Sequence, residues 1–261
     1  FSRFMLDRHD RVVVTAWDNL LGKNHDSRTK AAMKKAWKFV ARTQMIKYAL
    51  EWDGVPEEKI EVIPAGIDTN EFVPLPDRED AVYFCGRVVP EKGLKDLIWA
   101  MKGVQAELWV AGEAGDKKDF YDLWAFNAGV KIKWLGFLNR VEHAQRMGRA
   151  KIFSCPSYPL GSYDPFGEWL EQFGQVYIEA MSCGTPVVTT SCGGPSEILT
   201  HGRNSWLVPA RHWHGLHNGI VGLLQNKDVW ETYSGKARED CVKTFSIQAI
   251  GSRIRDWYFN E

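Results

Sequence analysis

Short apolar runs alternate along the chain with stretches in which apolar residues recur every three or four positions. Val82-Tyr83-Phe84-Cys85 and Leu108-Trp109-Val110-Ala111 leave no polar position for a solvent-facing side. Such runs fit strands covered on both faces, as in a parallel sheet clothed by helices. The pattern predicts strands over 11–17, 38–41, 60–63, 81–85, 106–111, 130–135, 151–155, 186–189 and 205–208. Helical spacing predicts helices over 29–37, 43–51, 94–101, 117–128, 141–148, 173–181 and 195–199, and then over 212–224, 229–243 and 247–259. Repeated strand–helix alternation implies right-handed βαβ units and a doubly wound, Rossmann-like α/β fold.

The predicted strands are unevenly shared. Six fall between 81 and 208, enough for one complete Rossmann-like domain, and three precede Pro64. Between them, 72–78 reads as a linker, because each proline disfavours helix in the residue before it. The expected organisation is an incomplete Rossmann-like domain over 1–76, a complete one over 77–245, and a C-terminal helix over 246–261. A doubly wound lobe hides both faces of its sheet, so the chain is expected to be part of a larger protein that supplies the first lobe's leading strands.

Composition narrows the function. With 33 basic and 33 acidic residues the formal charge is zero, which argues against a nucleic-acid binder. No apolar run approaches the roughly 18 residues of a membrane span. Phe1-Ser2-Arg3-Phe4 does not read as a signal peptide. The five cysteines are scattered, without a C-x-x-C pair, and read as reduced thiols. A cytoplasmic protein is expected, with contact to a membrane surface left open.

The most informative chemistry lies in 171–188, EQFGQVYIEAMSCGTPVV. Glu171 and Glu179 flank the start of a helix, eight positions apart, so their carboxylates can share one side. A helix N-terminus also attracts an anion. Read alone, the two acids fit either a ligand with hydroxyls on both sides of a phosphate or two ordinary helix charges. Gly86-Arg87-Val88-Val89-Pro90-Glu91-Lys92-Gly93 follows a strand, where open α/β sheets bind ligands. Arg87 and Lys92 there suit a diphosphate, or are two surface cations. Gly136-Phe137 fits either a nucleobase contact or a packed ring. His212, His214 and His217 do not have zinc-site spacing, and no metal is assigned.

In order along the chain, IEVIPAGIDTNEF (60–72), FCGRVVPEKGL (84–94), LWVAGEAG (108–115), WLGFL (134–138), EQFGQVYIEAMSCGTPVV and GGPSEILTHGRNSWLV (193–208) resemble the retaining glycosyltransferases of family four. Each piece is weak alone; the ordered set is specific. The resemblance implies a GT-B fold, in which 77–245 binds a nucleotide-diphosphate sugar donor and 246–261 crosses back to the acceptor-side lobe. It implies that Glu171 acts near the transferred sugar and Glu179 holds the nucleotide ribose. Arg87 and Lys92 would grip the diphosphate. Gly86, Phe173 and Gly174 would offer backbone near phosphates and sugar, and Gly136, Phe137 and Leu138 would border the base. Trp17 and Asp18 fall where many members carry an acceptor-side histidine, and Ser205 replaces a common glycine. The implied reaction transfers a sugar with retention of configuration to a glycan, lipid or small-molecule acceptor. Because protein cations serve the leaving group, no metal or other cofactor is required. Two other readings stay open: a lobe that binds a nucleotide sugar without transferring it, and a GT-B-like epimerase or phosphorylase, for which no cofactor lysine is evident.

Overall fold

A computed structural model describes residues 13–16, 35–159 and 171–259. Among them, β1 (Val13–Ala16), β2 (Lys38–Ala41) and β3 (Ile60–Val62) pair in parallel in that order as a small sheet. The larger sheet holds β4 (Glu79–Cys85), β5 (Glu107–Ala111), β6 (Ile132–Gly136), β7 (Ala150–Phe153), β8 (Val187–Thr190) and β9 (Ser205–Val208). Its order is β6-β5-β4-β7-β8-β9, parallel throughout. The α/β fold with parallel sheets is thus the one the apolar pattern predicts. Most of the helix expected over 29–37 lies outside the described residues, as do Trp17 and Asp18.

The larger sheet is enclosed by helices. They are α2 (Leu94–Ala100), α3 (Lys118–Ala128), α4 (Arg140–Arg149), α5 (Gln175–Ser182), the short α6 (Pro195–Ile198), α7 (Trp213–Gln225) and α8 (Lys227–Phe245). Helix α2 packs with α3 and α7, and α5 packs with α4 and α8, giving a helical layer on each side. This explains why Ala81, Val82, Tyr83 and Phe84 are all fully buried: β4 has strands on both edges and helices over both faces.

The small sheet is packed by α1 (Gln44–Trp52), whose Ile46 and Leu50 join Phe39 and Ile60 in a separate apolar cluster. Helix α9 (Ile247–Phe259) sets Ile250 against Val40 and Ile63 of that sheet's lobe. Two backbone bonds tie Ile67 to the start of α9: Ile67 N donates to Phe245 O at 2.8 Å and Ile247 N to Ile67 O at 3.0 Å.

The expected linker over 72–78 is not a simple spacer. Phe72 is fully buried, and its carbonyl accepts from Ser182 Oγ at 2.7 Å and from Arg238 Nη1 at 3.0 Å. Arg78 donates to the carbonyls of Ala150, Cys183 and Gly184 and to Thr185 Oγ1. Proline spacing reports backbone restriction and is silent on these anchors.

Candidate functional site

Strand order reverses at β4, with β5 and β6 on one side and β7, β8 and β9 on the other. Side loops diverge at such a switch point and open a crevice beyond the carboxyl ends of the strands. A cavity of about 560 Å³ lies at the carboxyl ends of β4, β5 and β6, to one side of that switch point. Gly86, Arg87 and Val88 line it after β4, Gly112 and Glu113 after β5, and Phe137 and Leu138 after β6. Phe137 is 83% exposed and leaves its ring at the cavity rather than in the core. Gly136 shapes the wall: its carbonyl accepts from Gly112 N at 2.8 Å and joins two of the loops.

The two acids occupy different environments. Glu171 precedes α5, and Lys92 Nζ donates to its Oε2 at 2.5 Å, each side chain only 14% exposed. Its backbone is fixed by Gly194 N, which donates to Glu171 O at 2.8 Å. That approach needs a glycine, since a Cβ at Gly194 would stand 2.3 Å from Gln172 O. Helix α5 begins at Gln175, not at 173, because Gly174 takes φ 83°, a left-handed conformation that breaks the helical path. Phe173 and Gly174 therefore form the turn into the helix. Glu171 lies outside it, which corrects the expectation that the two carboxylates share a helix face. Phe173 is buried and meets Phe245 edge-on, with ring centroids 6.5 Å apart.

Glu179, one turn into α5, is 7% exposed and not a solvated helix charge. Its Oε2 accepts from His143 Nε2 at 3.0 Å, and His143 Nδ1 shares a 2.8 Å hydrogen bond with Tyr83 Oη. Burial favours the neutral imidazole, but hydrogen bonds and charge from Cys85 and Glu179 outweigh it, raising His143 from 6.5 to about 9. Tyr83 is pushed upward by burial and stays a neutral phenol. His143 was assigned no role from the sequence. The available signal was its place in the first turn of the helix that follows the loop bordering the cavity. The capping box of α4 fixes that turn: Asn139 Oδ1 accepts from Glu142 N, and Glu142 Oε2 from Asn139 N, both at 3.0 Å.

Arg87 and Lys92 leave the same loop but do different things. Arg87 is exposed and lines the cavity, whereas Lys92 faces Glu171. Cys155 lies near that ion pair, but burial raises its thiol to about 12, so it is not a nucleophile there.

A second crevice of about 450 Å³ separates the lobes, with Arg42, Gln44 and Arg253 on one side and Phe173 and Glu197 on the other. Glu197 crosses it to cap α1, accepting from Gln44 N at 2.6 Å and Met45 N at 3.1 Å. The arrangement places cations, an ion-paired carboxylate and a buried acid around one end of the sheet, a setting for a polyanionic ligand that carries hydroxyls.

Residues 68–244 match the family model described as glycosyl transferases group 1. A glycosyltransferase of Methanocaldococcus jannaschii is 30% identical over 224 residues, 78% of this chain and 54% of that protein. The phosphatidyl-myo-inositol mannosyltransferase of Mycobacterium leprae is 27% identical over 238 residues, 85% of this chain and 59% of that protein. The chain thus spans little more than half the length of these two relatives. The crystal structure of Anabaena HepE in complex with UDP and glucose gives a TM-score of 0.78 at 23% identity, covering 95% of this chain and 71% of that one. The structural likeness establishes the fold, a GT-B arrangement with Rossmann-like domains. Because the family match covers well over half of the sequence, the chain belongs to the group 1 glycosyl transferases.

Proposed function

We propose that this chain carries the donor side of a retaining glycosyltransferase of the family-four type, which moves a hexose from a nucleoside-diphosphate sugar to a glycan, lipid or small-molecule acceptor. The observation that carries this reading is the Arg87-lined cavity at the carboxyl ends of β4, β5 and β6, with Lys92 of the same post-β4 loop paired to Glu171. In this reading 77–245 is the donor domain, 1–76 contributes to the acceptor side, and 246–261 joins the two. The protein works in the cytoplasm, at a membrane surface when its acceptor is a lipid. Among the described residues no helix is long and apolar enough to cross a membrane.

The donor's diphosphate lies at Arg87 and Lys92. As the bond from anomeric carbon to phosphate oxygen breaks, negative charge grows on the leaving group, and the two cations stabilise it. Positive charge grows on the sugar ring, and Glu171 stands on that side. Lys92 already pairs with Glu171, so a diphosphate arriving at Lys92 competes for its ammonium and releases carboxylate charge toward the sugar. Glu179 accepts hydrogen bonds from the ribose, and Phe137 and Leu138 flank the base. The acceptor hydroxyl attacks from the face the phosphate leaves, which retains configuration, and the leaving phosphate takes its proton. The chemistry uses protein cations alone, without a metal or other cofactor.

Calorimetric titration with UDP-, GDP- and ADP-sugars tests this reading. One of them is expected to bind. Arg87→Ala should weaken that binding about tenfold to a hundredfold, the loss of one charge-assisted hydrogen bond. Silence from all three donors overturns the function, and unchanged affinity in Arg87→Ala overturns the placement of the diphosphate.

A further inference from the structure

The Tyr83–His143–Glu179 chain has a feature that the donor reading alone does not use. His143 lines the nucleotide cavity, yet both of its ring nitrogens are engaged, Nδ1 with Tyr83 Oη at 2.8 Å and Nε2 with Glu179 Oε2 at 3.0 Å. A ring with both nitrogens bonded has no donor or acceptor left for a ligand. Its influence on a bound nucleotide therefore passes through Glu179. The partners on either side are held as firmly. Tyr83 is fully buried in the central strand β4, and Glu179 is 7% exposed on the first turns of α5. Phe72 closes the remaining side, edge-on to the imidazole at 5.7 Å.

Such a site has a physical need for this imidazole. A carboxylate this deeply buried is costly without a partner. A partner that takes one oxygen also fixes the plane of the carboxylate and presents the second oxygen in one direction. Two vicinal hydroxyls of a ribose need such a fixed acceptor, because a carboxylate free to rotate meets them only part of the time.

We propose that His143 is a positioning residue for donor recognition: it holds Glu179 so that the second carboxylate oxygen reads the ribose hydroxyls of the nucleotide. This rests on the proposed donor site and adds to it the group that orients its ribose acceptor. Helix α4 is the element that brings the imidazole there. Its capping box fixes the first turn, and the hydrogen bond to Tyr83 fixes the ring.

The test compares the affinities of UDP, GDP and ADP with those of their 2′-deoxy counterparts, measured by calorimetry on the whole chain, with inorganic pyrophosphate as a probe of the phosphate subsite. In the wild-type protein the ribonucleotide that binds should exceed its 2′-deoxy form about tenfold. His143→Leu should reduce that ratio to about twofold while leaving pyrophosphate affinity unchanged. His143→Gln, whose amide can donate to Glu179, should restore most of the ratio, and the shorter His143→Asn should not. If His143→Leu shows no cooperative melt, the Gln and Asn variants decide the question alone. A tenfold ratio that survives in His143→Asn overturns the positioning role and leaves the donor site intact. Equal loss of ribonucleotide, 2′-deoxynucleotide and pyrophosphate affinity in the Asn variant also overturns it, since that is the signature of a residue that merely supports the fold. A ratio near one in the wild-type protein, or no binding of any of the three nucleotides, refutes instead the ribose site on which the proposal stands.

Discussion

Glu171 and Glu179 are eight positions apart in sequence and both largely buried, yet they differ in backbone setting and in partner. Glu171 is held in a turn and paired with a primary ammonium. Glu179 is held in a helix and paired with an imidazole. Under the proposed function, Glu171→Gln is therefore expected to lower turnover by more than it lowers donor affinity, since that reading sets its charge against the transition state. Glu179→Gln should do the reverse, weakening nucleotide binding with a smaller effect on turnover. Steady-state kinetics set beside calorimetric affinities checks both, and identical behaviour of the two variants would refute the division. His143 adds a pH signature. Its folded value of about 9 lies above its ordinary 6.5, so folding favours the protonated ring. That contribution to stability is complete below about 6.5 and is lost as pH rises through about 9. The melting temperature of the wild-type protein should thus fall more steeply between pH 7 and pH 10 than that of His143→Gln. Parallel profiles would show that the imidazole carries no proton linkage.

At the scale of elements, α5 is held from both ends. Its start is set by Gly174, where a Cβ would stand 2.3 Å from the Tyr177 ring. At its carboxyl end two guanidinium groups satisfy the unpaired carbonyls. Arg78 donates to Cys183 O and Gly184 O, and Arg238 donates to Ser182 O. Positive charge at that end also suits the helix dipole. Burial lowers the pKa of Arg78 to about 10, so the guanidinium is still charged at neutral pH. Removing it strands carbonyls on α5 and β7 together. Arg78→Ala should cost about 3 kcal/mol of stability, read as a lower denaturant midpoint at unchanged m. A loss below about 0.5 kcal/mol, the size of an ordinary surface substitution, would show that the arginine is dispensable. Because α5 carries Glu179 into the site, its anchoring at a distance is also how the site keeps its geometry.

For the whole molecule, the relevant fact is how the two sheets are joined. Among the described residues, polar contacts at the crevice include Glu197 on the start of α1 and Gln175 Nε2 donating to Gly66 O at 3.4 Å. An apolar contact, Ile250 of α9 against Val40 and Ile63, adds to these. The cavity proposed to take the nucleotide, by contrast, is lined wholly by residues of the larger-sheet lobe. A nucleotide that binds the folded state only, at a hundred times its Kd, stabilises by about 2.7 kcal/mol. For a domain of this size that is a rise of roughly 5–10 °C in melting temperature. The transition of the larger lobe should carry the shift, and hydrogen exchange should slow in the loops after β4, β5 and β6. A nucleotide that protects only the small-sheet lobe would place the donor site elsewhere.

Much of this arrangement was legible in the linear sequence. The apolar runs of β4 and β5 announced strands buried on both faces, because a parallel sheet leaves no solvent side for a polar residue. Periodicity placed the helix of 141–148 to within a residue of its start, whereas Gly174 set the start of α5 two residues later than periodicity did. Arg87 was readable as a ligand-facing residue because it follows a strand, and the rule that ligands meet strand ends needs only order along the chain, whereas Phe137 stayed open between a base contact and a packed ring and Leu138 entered only through the family resemblance. What the sequence left open were pairings between distant positions. Lys92 meets Glu171 across 79 residues and His143 meets Glu179 across 36, while Arg78 reaches the end of α5 across more than a hundred. Local patterns carry no information on these contacts, because they depend on which strand lies beside which and on the hand of each crossover. The strand order β6-β5-β4-β7-β8-β9 decided them. By placing α4 and α5 in the same helical layer it turned a helix histidine into the partner of a buried acid.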